Sequence, residues 1–351
     1  MRGEQTDKYM RRCLELAAKA EGMTYPNPLV GAILVHNNTI IGEGFHIRAG
    51  GPHAEVIAIG SVADKSLIPH STLYVSLEPC SHFGKTPPCS ELIIKSQIPK
   101  IVVGTTDTSD KVSGNGIKQL REAGREVITG VLNEECRRIN KRFFTFHEKK
   151  RPYITLKWAR SSDGFIDKVR PEGSQSGPNW ISGKPERILV HKWRSEEQAI
   201  LAGGVTIRND NPMLNVRYWP GRDPLKVVLS KSGDIANYLR LNETNGTIIV
   251  FSEVAGESFV NTRWVKLEKD IPAARQIADY LYSKGIQSLL IEGGASVLKH
   301  FIETGLWDEA RIFTGKTEFN NGIRAPEIDG LLYSFSGFEA TRLETVVNEY
   351  N

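Results

Sequence analysis

One histidine, one glutamate and two cysteines constrain this chain more than any other feature of its sequence. A single residue separates His53 from Glu55, Pro79-Cys80 begins 24 residues after Glu55, and Cys89 follows after a gap of eight residues. An imidazole and two thiolates can fill three corners of a zinc tetrahedron and leave the fourth for water, whose pKa the metal lowers. A carboxylate beside the histidine can then move protons, so the pattern predicts a hydrolytic zinc deaminase.

The gap between the cysteines is longer than in the usual nucleobase-deaminase pattern, where two residues separate them. Both thiols can still reach one metal if Gly84 and the Pro87-Pro88 pair turn the intervening loop back. The alternatives are buried cysteines without metal or a closed structural zinc site, for which His82 is the nearest fourth ligand. Neither alternative requires a glutamate beside the histidine, so we favour the deaminase interpretation.

Hydrophobic periodicity around the motif predicts a mixed α/β domain. Pro52 is expected to open a helix that carries His53 and Glu55 in its first turn, and Cys89 to begin another helix, so the metal would lie at two helix N-termini. Other predicted elements are a helix over 6–20, a hairpin over 29–41, strands over 73–77, 101–104 and 126–129, and a helix over 133–146.

The length of 351 residues and the hydrophobic content of 40% suit two domains. A charged run before Pro152 marks the expected boundary, because the residue before a proline disfavours helix. We therefore predict domains at residues 1–147 and 152–351. A solvated loop inside one domain is the alternative, which the length argues against.

Composition excludes several partners. No stretch approaches the roughly 20 apolar residues of a membrane span, and residues 1–5 contain no apolar signal core. The net charge is +4 without a basic stripe, so neither a membrane nor a nucleic-acid partner is expected. Of the four cysteines, Cys13 and Cys136 fall on helical faces and should be buried, a usage that suits the reducing cytoplasm.

Strands alternate with helices in the second half, which predicts a largely parallel sheet with crossover helices. Gly203-Gly204 and Gly293-Gly294 each follow a strand, and such turns let backbone N–H groups approach a phosphate. A tight turn without a ligand explains each pair equally well. The predicted strands are 153–158, 199–202, 225–229, 247–252 and 288–291, and the predicted helices are 185–194, 271–283 and 296–304.

Three segments of the first half carry a family resemblance. They are residues 24–31 (TYPNPLVG), 52–56 (PHAEV) and 77–89 (LEPCSHFGKTPPC). Together they resemble the deaminase half of the bifunctional riboflavin-biosynthesis deaminase/reductase family, in which the eight-residue cysteine gap is the normal spacing. The resemblance implies a cytidine-deaminase-like three-layer α/β/α fold with Glu55 as the catalytic carboxylate. It also implies that Asn27 binds substrate, and we expect Lys85 and Thr86 in the cysteine loop to face that substrate.

Five segments of the second half carry the matching resemblance. They are residues 156–164 (LKWARSSDG), 179–182 (NWIS), 191–194 (HKWR), 206–217 (TIRNDNPMLNVR) and 291–294 (IEGG). They resemble the reductase half of the same family, which has a dihydrofolate-reductase-like α/β fold and uses NADPH. Pro178 and Lys231 depart from its pattern, and residues 311–351 match it poorly.

This second resemblance implies two sets of site residues. The cofactor would be approached by Ala159, Trp180, Thr206, Asp210, Gly294, Ala295, Ser296, Val297, Leu298, Lys299 and His300. The substrate would be approached by Arg194, Leu214, Arg217 and Glu292, with Lys157 catalytic beside the reacting ribose. The guanidinium groups of Arg194 and Arg217 also suit a phosphate on physical grounds, although a surface ion pair is the simpler alternative.

These observations predict a cytoplasmic bifunctional enzyme with one zinc per chain and NADPH. The resemblance implies that it would deaminate 2,5-diamino-6-ribosylamino-4(3H)-pyrimidinone 5′-phosphate, a small phosphorylated pyrimidine, and then reduce the ribosyl side chain to ribityl. A homo-oligomer is compatible with the sequence. One alternative is a single-function zinc deaminase of another free nucleotide or nucleoside base with a vestigial second domain. An alternative of another class is a zinc-stabilised binding protein without turnover.

Overall fold

The computed structural model describes residues 2–81, 87–108, 114–170, 177–233, 241, 246–254 and 261–349. The chain divides into two compact units, Met1–Lys150 and Arg151–Asn351. Among the described helices, none is long and apolar enough to cross a membrane.

The first unit alternates helices and strands along most of its length. Its helices are α1 (Arg2–Ala18), α2 (Ala54–Ser61), α3 (Cys89–Lys95), α4 (Asn115–Glu122), α5 (Asn133–Ile139) and α6 (Lys141–Lys149), with a short 3₁₀-helix at Lys65–His70. Its strands are β1 (Gly31–His36), β2 (Thr39–Phe45), β3 (Thr72–Leu77), β4 (Lys100–Thr105) and β5 (Glu126–Thr129). The described strands form one sheet in the order β2-β1-β3-β4-β5, in which β1 runs antiparallel to both neighbours and β3, β4 and β5 are parallel.

The sheet of the first unit is the middle of three layers, with helices on both faces. Successive side chains of a strand point to opposite faces, so each central strand packs against both helix layers. Ala32 and Leu34 pack in one hydrophobic cluster with residues of α2, α3 and α4. Ile33 and Val35 pack in another cluster with residues of α1 and α5. Both faces of the central strands are therefore buried, which is why the strands read as continuous apolar runs.

The predicted hairpin and the helix beginning at Cys89 are confirmed in the first unit. His53 is the N-cap of α2 rather than a residue of its first turn. The predicted helix over 133–146 is broken at Asn140. The buried Asn140 side chain accepts the Leu29 N–H at 2.8 Å and donates to the Leu29 carbonyl at 2.9 Å. An asparagine with these long-range partners favours a break that helical periodicity does not reveal.

The second unit contains a larger sheet. Its strands are β6 (Tyr153–Arg160), β7 (Phe165–Asp167), β8 (Ala199–Gly203), β9 (Leu225–Leu229), β10 (Ile248–Ser252), β11 (Thr262–Lys266), β12 (Ser288–Glu292), β13 (Glu309–Gly315), β14 (Ile323–Arg324), β15 (Leu331–Gly337) and β16 (Thr341–Val347). Its described helices are α7 (Lys184–Glu196), α8 (Gly204–Asp210), α9 (Ala273–Ser283) and α10 (Ala295–Glu303). The main sheet has the order β11-β10-β9-β8-β12-β6-β13-β16-β15, and β7 pairs with β14.

The main sheet is parallel from β11 to β13, as predicted, and its last two strands are antiparallel. Residues of α9 and α10 pack on one face, and residues of α7 and α8 pack on the other. The predicted elements did not include the strands β7, β11 and β13 to β16 or the helix α8. The omitted β15 is exposed along its whole length and carries large uncovered side chains such as Leu332 and Phe335. Its pattern lacks the one-sided burial that identifies a strand from sequence.

We expect Asn140→Ala to lower the free energy of unfolding of the first unit by about 2–6 kcal/mol. The substitution leaves a buried N–H and a buried carbonyl of Leu29 without partners, and each such loss costs about 1–3 kcal/mol. Chemical denaturation measures the change. Asn133→Ala, at the partly exposed start of α5, removes only a solvent-exposed hydrogen bond to Glu134; it is the matched control and should change stability by less than about 0.5 kcal/mol. Equal stability of the two variants would contradict the role of Asn140.

Candidate active sites

The first candidate site brings together the three predicted zinc ligands. His53 caps α2, Cys80 follows β3, and Cys89 begins α3. His53 Nδ1 lies 3.2 Å from Cys89 Sγ and 3.5 Å from Cys80 Sγ. The three ligand atoms lie within 4.8 Å of one another, and no other cluster of this kind occurs in the part of the chain that the structure describes. Two sulfurs and one imidazole nitrogen are a donor set that fits zinc.

The segment that carries Cys80 is fixed by Glu78, a residue that the sequence analysis did not select. The buried Glu78 carboxylate accepts four backbone N–H groups of the segment leading into α4, from Asp107, Gly114, Gly116 and Ile117, at 2.9–3.2 Å. Gly116 packs so closely that a Cβ there would lie 1.9 Å from the Pro79 carbonyl oxygen. These contacts tie the residues before Cys80 to the start of a helix.

Glu55 lies in the first turn of α2 and is only 3% exposed. Burial raises the pKa of Glu55 to about 7, and the nearby Cys80 adds to the rise. A carboxyl group with a pKa near neutrality can both accept and donate a proton at working pH. Hydrogen bonds from the Cys89 thiol and from His53 lower the pKa of Cys80, so this ligand favours the thiolate that binds metal.

Asn27, the predicted substrate contact of the first unit, lies next to His46. Asn27 Nδ2 is 3.0 Å from His46 Nε2, and His46 Nδ1 is 2.9 Å from the Pro52 carbonyl oxygen. The Pro52 carbonyl can only accept, so His46 donates from Nδ1 and accepts the Asn27 amide at Nε2. The His46 ring also meets the His53 ring edge-on at 5.5 Å between centroids. His46 therefore links Asn27 to the zinc-site histidine, and the sequence analysis did not select it.

Lys85 and Thr86, which were expected to face the substrate, lie outside the described residues, as does His82.

The second candidate site is a charged cluster at the end of β12. Glu292 and Lys157 are cross-strand partners of the parallel strands β12 and β6, and Lys157 Nζ lies 3.8 Å from Glu292 Oε2. Arg194 from α7 donates to both Glu292 oxygens at 2.6 and 2.8 Å. Burial opposes ionisation of Glu292, but Arg194 and Lys157 outweigh it and lower the pKa of Glu292 to about 2. Burial lowers the pKa of Lys157, although Glu292 opposes that shift.

Arg217 and Leu214 lie beside this cluster on the segment 214–217. Arg194 Nη1 donates to the Asn215 carbonyl at 3.0 Å, and Arg217 Nη1 donates to Asn215 Oδ1. Leu214 has a positive φ of 49°, and its side chain packs in the core against β8, α8 and β9. The backbone of Leu214 is therefore the part left for a substrate. Asn215 was quoted within a motif but not selected as a site residue.

The two predicted glycine turns lie side by side, because they follow the neighbouring strands β8 and β12. A Cβ on Gly203 would lie 2.8 Å from Val297 of the other turn's helix, and one on Gly294 would lie 3.2 Å from Thr206 Oγ1. Gly294 also has a φ of 79°, which disfavours any other residue there. The starts of α8 and α10 thus share one edge of the sheet, where helix N-termini attract a phosphate.

The other predicted cofactor residues occupy different settings. Ala159 is half-buried at the end of β6, and Trp180 is 58% exposed with the Arg187 guanidinium 4.5 Å from its ring. Asp210 pairs with Arg170 at 2.8 Å.

Within α10, Ala295 is half-buried and Ser296 is exposed at the N-terminus, whereas Val297 and Leu298 pack in the core. Lys299 pairs with Glu303 at 3.6 Å, and His300 Nε2 accepts the Ala274 N–H at 3.1 Å. The N-terminal turn is therefore the part of α10 that is open to a cofactor.

Comparison with known proteins assigns both units to families. Residues 3–105 match the cytidine and deoxycytidylate deaminase zinc-binding region, and residues 152–315 match the RibD C-terminal domain. The riboflavin biosynthesis protein RibD of Aquifex aeolicus is 38% identical over 324 residues, which cover 90% of this chain and 88% of that protein. The RibD of Bacillus amyloliquefaciens is 38% identical over 343 residues, covering 95% of this chain and 89% of that protein.

Solved structures give the same result. The crystal structure of a diaminohydroxyphosphoribosylaminopyrimidine deaminase/5-amino-6-(5-phosphoribosylamino)uracil reductase from Thermotoga maritima matches with a TM-score of 0.90 and 35% identity, covering 99% of this chain and 100% of that one. RibD of Acinetobacter baumannii matches with a TM-score of 0.85 and 29% identity, covering 98% and 99%. The predicted pairing of a cytidine-deaminase-like and a dihydrofolate-reductase-like α/β fold is confirmed. With relatives matched across both units, the chain belongs to the RibD family of riboflavin biosynthesis proteins.

Proposed function

We propose that this chain catalyses two successive steps of riboflavin biosynthesis on one phosphorylated pyrimidine. The first unit hydrolyses the exocyclic amine at ring carbon 2 of 2,5-diamino-6-ribosylamino-4(3H)-pyrimidinone 5′-phosphate. The second unit then reduces the ribosyl side chain to ribityl. One observation carries the proposal: a single chain of this family contains both sites. The first unit has three residues that can hold zinc beside the buried Glu55. The second unit has the Lys157–Glu292–Arg194 charged cluster near two glycine turns.

In the first step, His53, Cys80 and Cys89 would hold zinc, which supplies a nucleophilic water near neutral pH when it is bound. Glu55 takes a proton from that water and passes it to the departing nitrogen, so one water is consumed and one ammonia is released. Asn27, oriented by His46, faces the pyrimidine side of the site. Lys85 and Thr86 remain predicted substrate contacts.

In the second step, the N-terminal turns of α8 and α10 would receive NADPH, which supplies the hydride when it is bound. Ala159, Trp180, Thr206, Asp210 and the residues from Gly294 to His300 are the proposed cofactor side. Lys157 provides a proton at the reacting ribose, in its ring-opened aldehyde or imine form. A carbonyl or imine carbon then gains one hydride and its heteroatom gains one proton.

The substrate of the second step is held by residues around Glu292. Because Glu292 stays ionised between two cations, its oxygens can accept substrate hydroxyl or amine groups. The Arg194 guanidinium already donates hydrogen bonds to the Glu292 carboxylate and to the Asn215 carbonyl. Arg217 is therefore the guanidinium better suited to bind the substrate phosphate. Leu214 presents its backbone to the same place.

The two alternative functions are not favoured. A vestigial second domain does not account for the buried Lys157–Glu292–Arg194 cluster, and relatives of the full length carry both halves. A cytoplasmic location and the absence of nucleic-acid and membrane partners remain predictions. A homo-oligomer is likewise a prediction, and the uncovered strand β15 is a surface that such an assembly would bury.

Glu55→Gln should keep one zinc per chain and lower the rate of ammonia release by about 10²–10⁴-fold. The amide keeps the shape of the side chain but cannot move the proton, and general acid/base groups contribute about that factor. Metal analysis and an ammonia assay measure the two effects. Glu91→Gln, at a partly exposed position of α3 where the side chain pairs with Lys95, is the control and should leave both unchanged. Loss of zinc from Glu55→Gln would make Glu55 a ligand and the site structural.

Lys157→Ala should abolish NADPH oxidation with the deaminated intermediate and leave ammonia release intact. The largely buried Lys157 ammonium is the proposed proton donor of the reductase site, and it lies in the unit without the zinc-ligand cluster. Arg275→Ala removes an exposed ion pair of α9 and should change neither activity. Conversely, zinc removal should stop ammonia release and spare reduction of the supplied intermediate. A folded Lys157→Ala protein with full reductase turnover would refute the assignment.

A further inference from the structure

His191 is a buried histidine beside the charged cluster that the scheme above leaves without a role. It lies on α7 and is 4% exposed, and its Nδ1 accepts the backbone N–H of Arg217 at 2.9 Å. We propose that His191 is a positioning residue of the reductase site, which fixes the backbone of Arg217 so that the guanidinium is aimed at the substrate phosphate. The inference rests on the proposed substrate role of Arg217.

The segment 214–217 needs such a support because it has no regular secondary structure. It is tied down at each successive residue instead. Arg194 holds the Asn215 carbonyl at 3.0 Å, Asp223 accepts the Val216 N–H at 2.7 Å, and His191 accepts the Arg217 N–H. Leu214 starts the segment with a positive φ, a conformation that a leucine adopts only when its surroundings enforce it. The His191 bond is the last of these ties and the one nearest the Arg217 side chain.

His191 and Arg194 stand three residues apart and therefore share one face of α7. Arg194 connects that face to Glu292 and to Asn215. His191 connects the same face to Arg217. A single helix face thus sets the distance between Glu292, which lies at the end of β12, and Arg217, which lies on the irregular segment. One substrate molecule can therefore contact Glu292 at one end and Arg217 at the other, at a separation that α7 holds constant.

The protonation state of His191 fits the role. An N–H donor faces Nδ1, so Nδ1 must be unprotonated and the ring proton must lie on Nε2. Burial lowers the pKa of His191 to about 4, and the positive charges of Arg194, Arg217 and Lys157 add to this shift while Glu292 opposes it. The ring stays a neutral acceptor at physiological pH. It also packs edge-on against Tyr218, at 4.8 Å between ring centroids, which restricts its rotation.

The test compares His191→Phe with His191→Asn in the full-length chain, with NADPH and the deaminated phosphorylated intermediate as substrates. Phenylalanine fills the space without an acceptor, whereas the asparagine Oδ1 can accept in place of Nδ1. Loss of one hydrogen bond that orients a binding group should raise KM for the intermediate about 3- to 10-fold in His191→Phe, with kcat within about twofold. His191→Asn should bring KM back to within about twofold of the unmodified protein. Ammonia release from the diaminopyrimidinone ribosyl phosphate, measured in a separate assay of the same preparation, serves as the reference for the concentration of folded protein.

The outcomes separate the two claims. Arg217→Ala in the same assay tests the substrate role on which the inference rests, and it should raise KM more than His191→Phe does. A raised KM in Arg217→Ala together with an unaltered KM in His191→Phe would overturn the positioning role alone. An unaltered KM in Arg217→Ala would overturn the substrate role and the inference with it. Should His191→Phe lose all NADPH oxidation through misfolding, His191→Leu replaces it, and equal KM values for the leucine and asparagine variants would refute the proposal.

Discussion

In both units, the side chains that can do chemistry gather where parallel strands end and helices begin. The direction of the chain imposes this, because parallel strands present all their carboxyl ends at one edge of a sheet and crossover helices start from that edge. Cys80 follows β3, and α3, which starts with Cys89, returns to it. Glu292 ends β12 directly opposite Lys157 of β6. In the second unit, the register of β6 and β12 therefore sets the distance between Lys157 and Glu292 on which the proposed reduction depends.

Two buried glutamates show how the surroundings assign opposite roles to the same functional group. Burial raises the pKa of Glu55 to about 7, and the nearby Cys80 adds to the rise, which suits a group that moves protons. Glu292 is enclosed by Arg194 and Lys157, and their charges overcome burial and lower its pKa to about 2. A carboxylate held ionised in this way suits hydrogen-bond acceptance from a substrate rather than proton transfer. The difference lies in the partners of each residue and not in its depth.

The sequence predicted those features that depend on residues close together in the chain. Cys80 and Cys89 could be paired with His53 because soft metal ligands are few in the chain, and apolar runs located the central strands. Side chains whose partners are distant backbone groups gave no such pattern. Asn140 meets Leu29 across 111 residues, and His191 meets Arg217 across 26. Helical periodicity treats both residues as ordinary helix positions, and although His191 lies in the quoted motif 191–194, only the folded chain reveals the partner of each.

The most direct test of the account is one incubation of the purified protein with the diaminopyrimidinone ribosyl phosphate, with and without NADPH, in which mass spectrometry resolves the products. Without NADPH, we expect a single product in which an oxygen has replaced the amine nitrogen at ring carbon 2, together with an equal amount of ammonia. With NADPH, we expect a second product that has gained two further hydrogen atoms in the sugar, with an equal amount of NADPH oxidised. Accumulation of the deaminated product in the presence of NADPH, with no NADPH consumed, would contradict the bifunctional assignment.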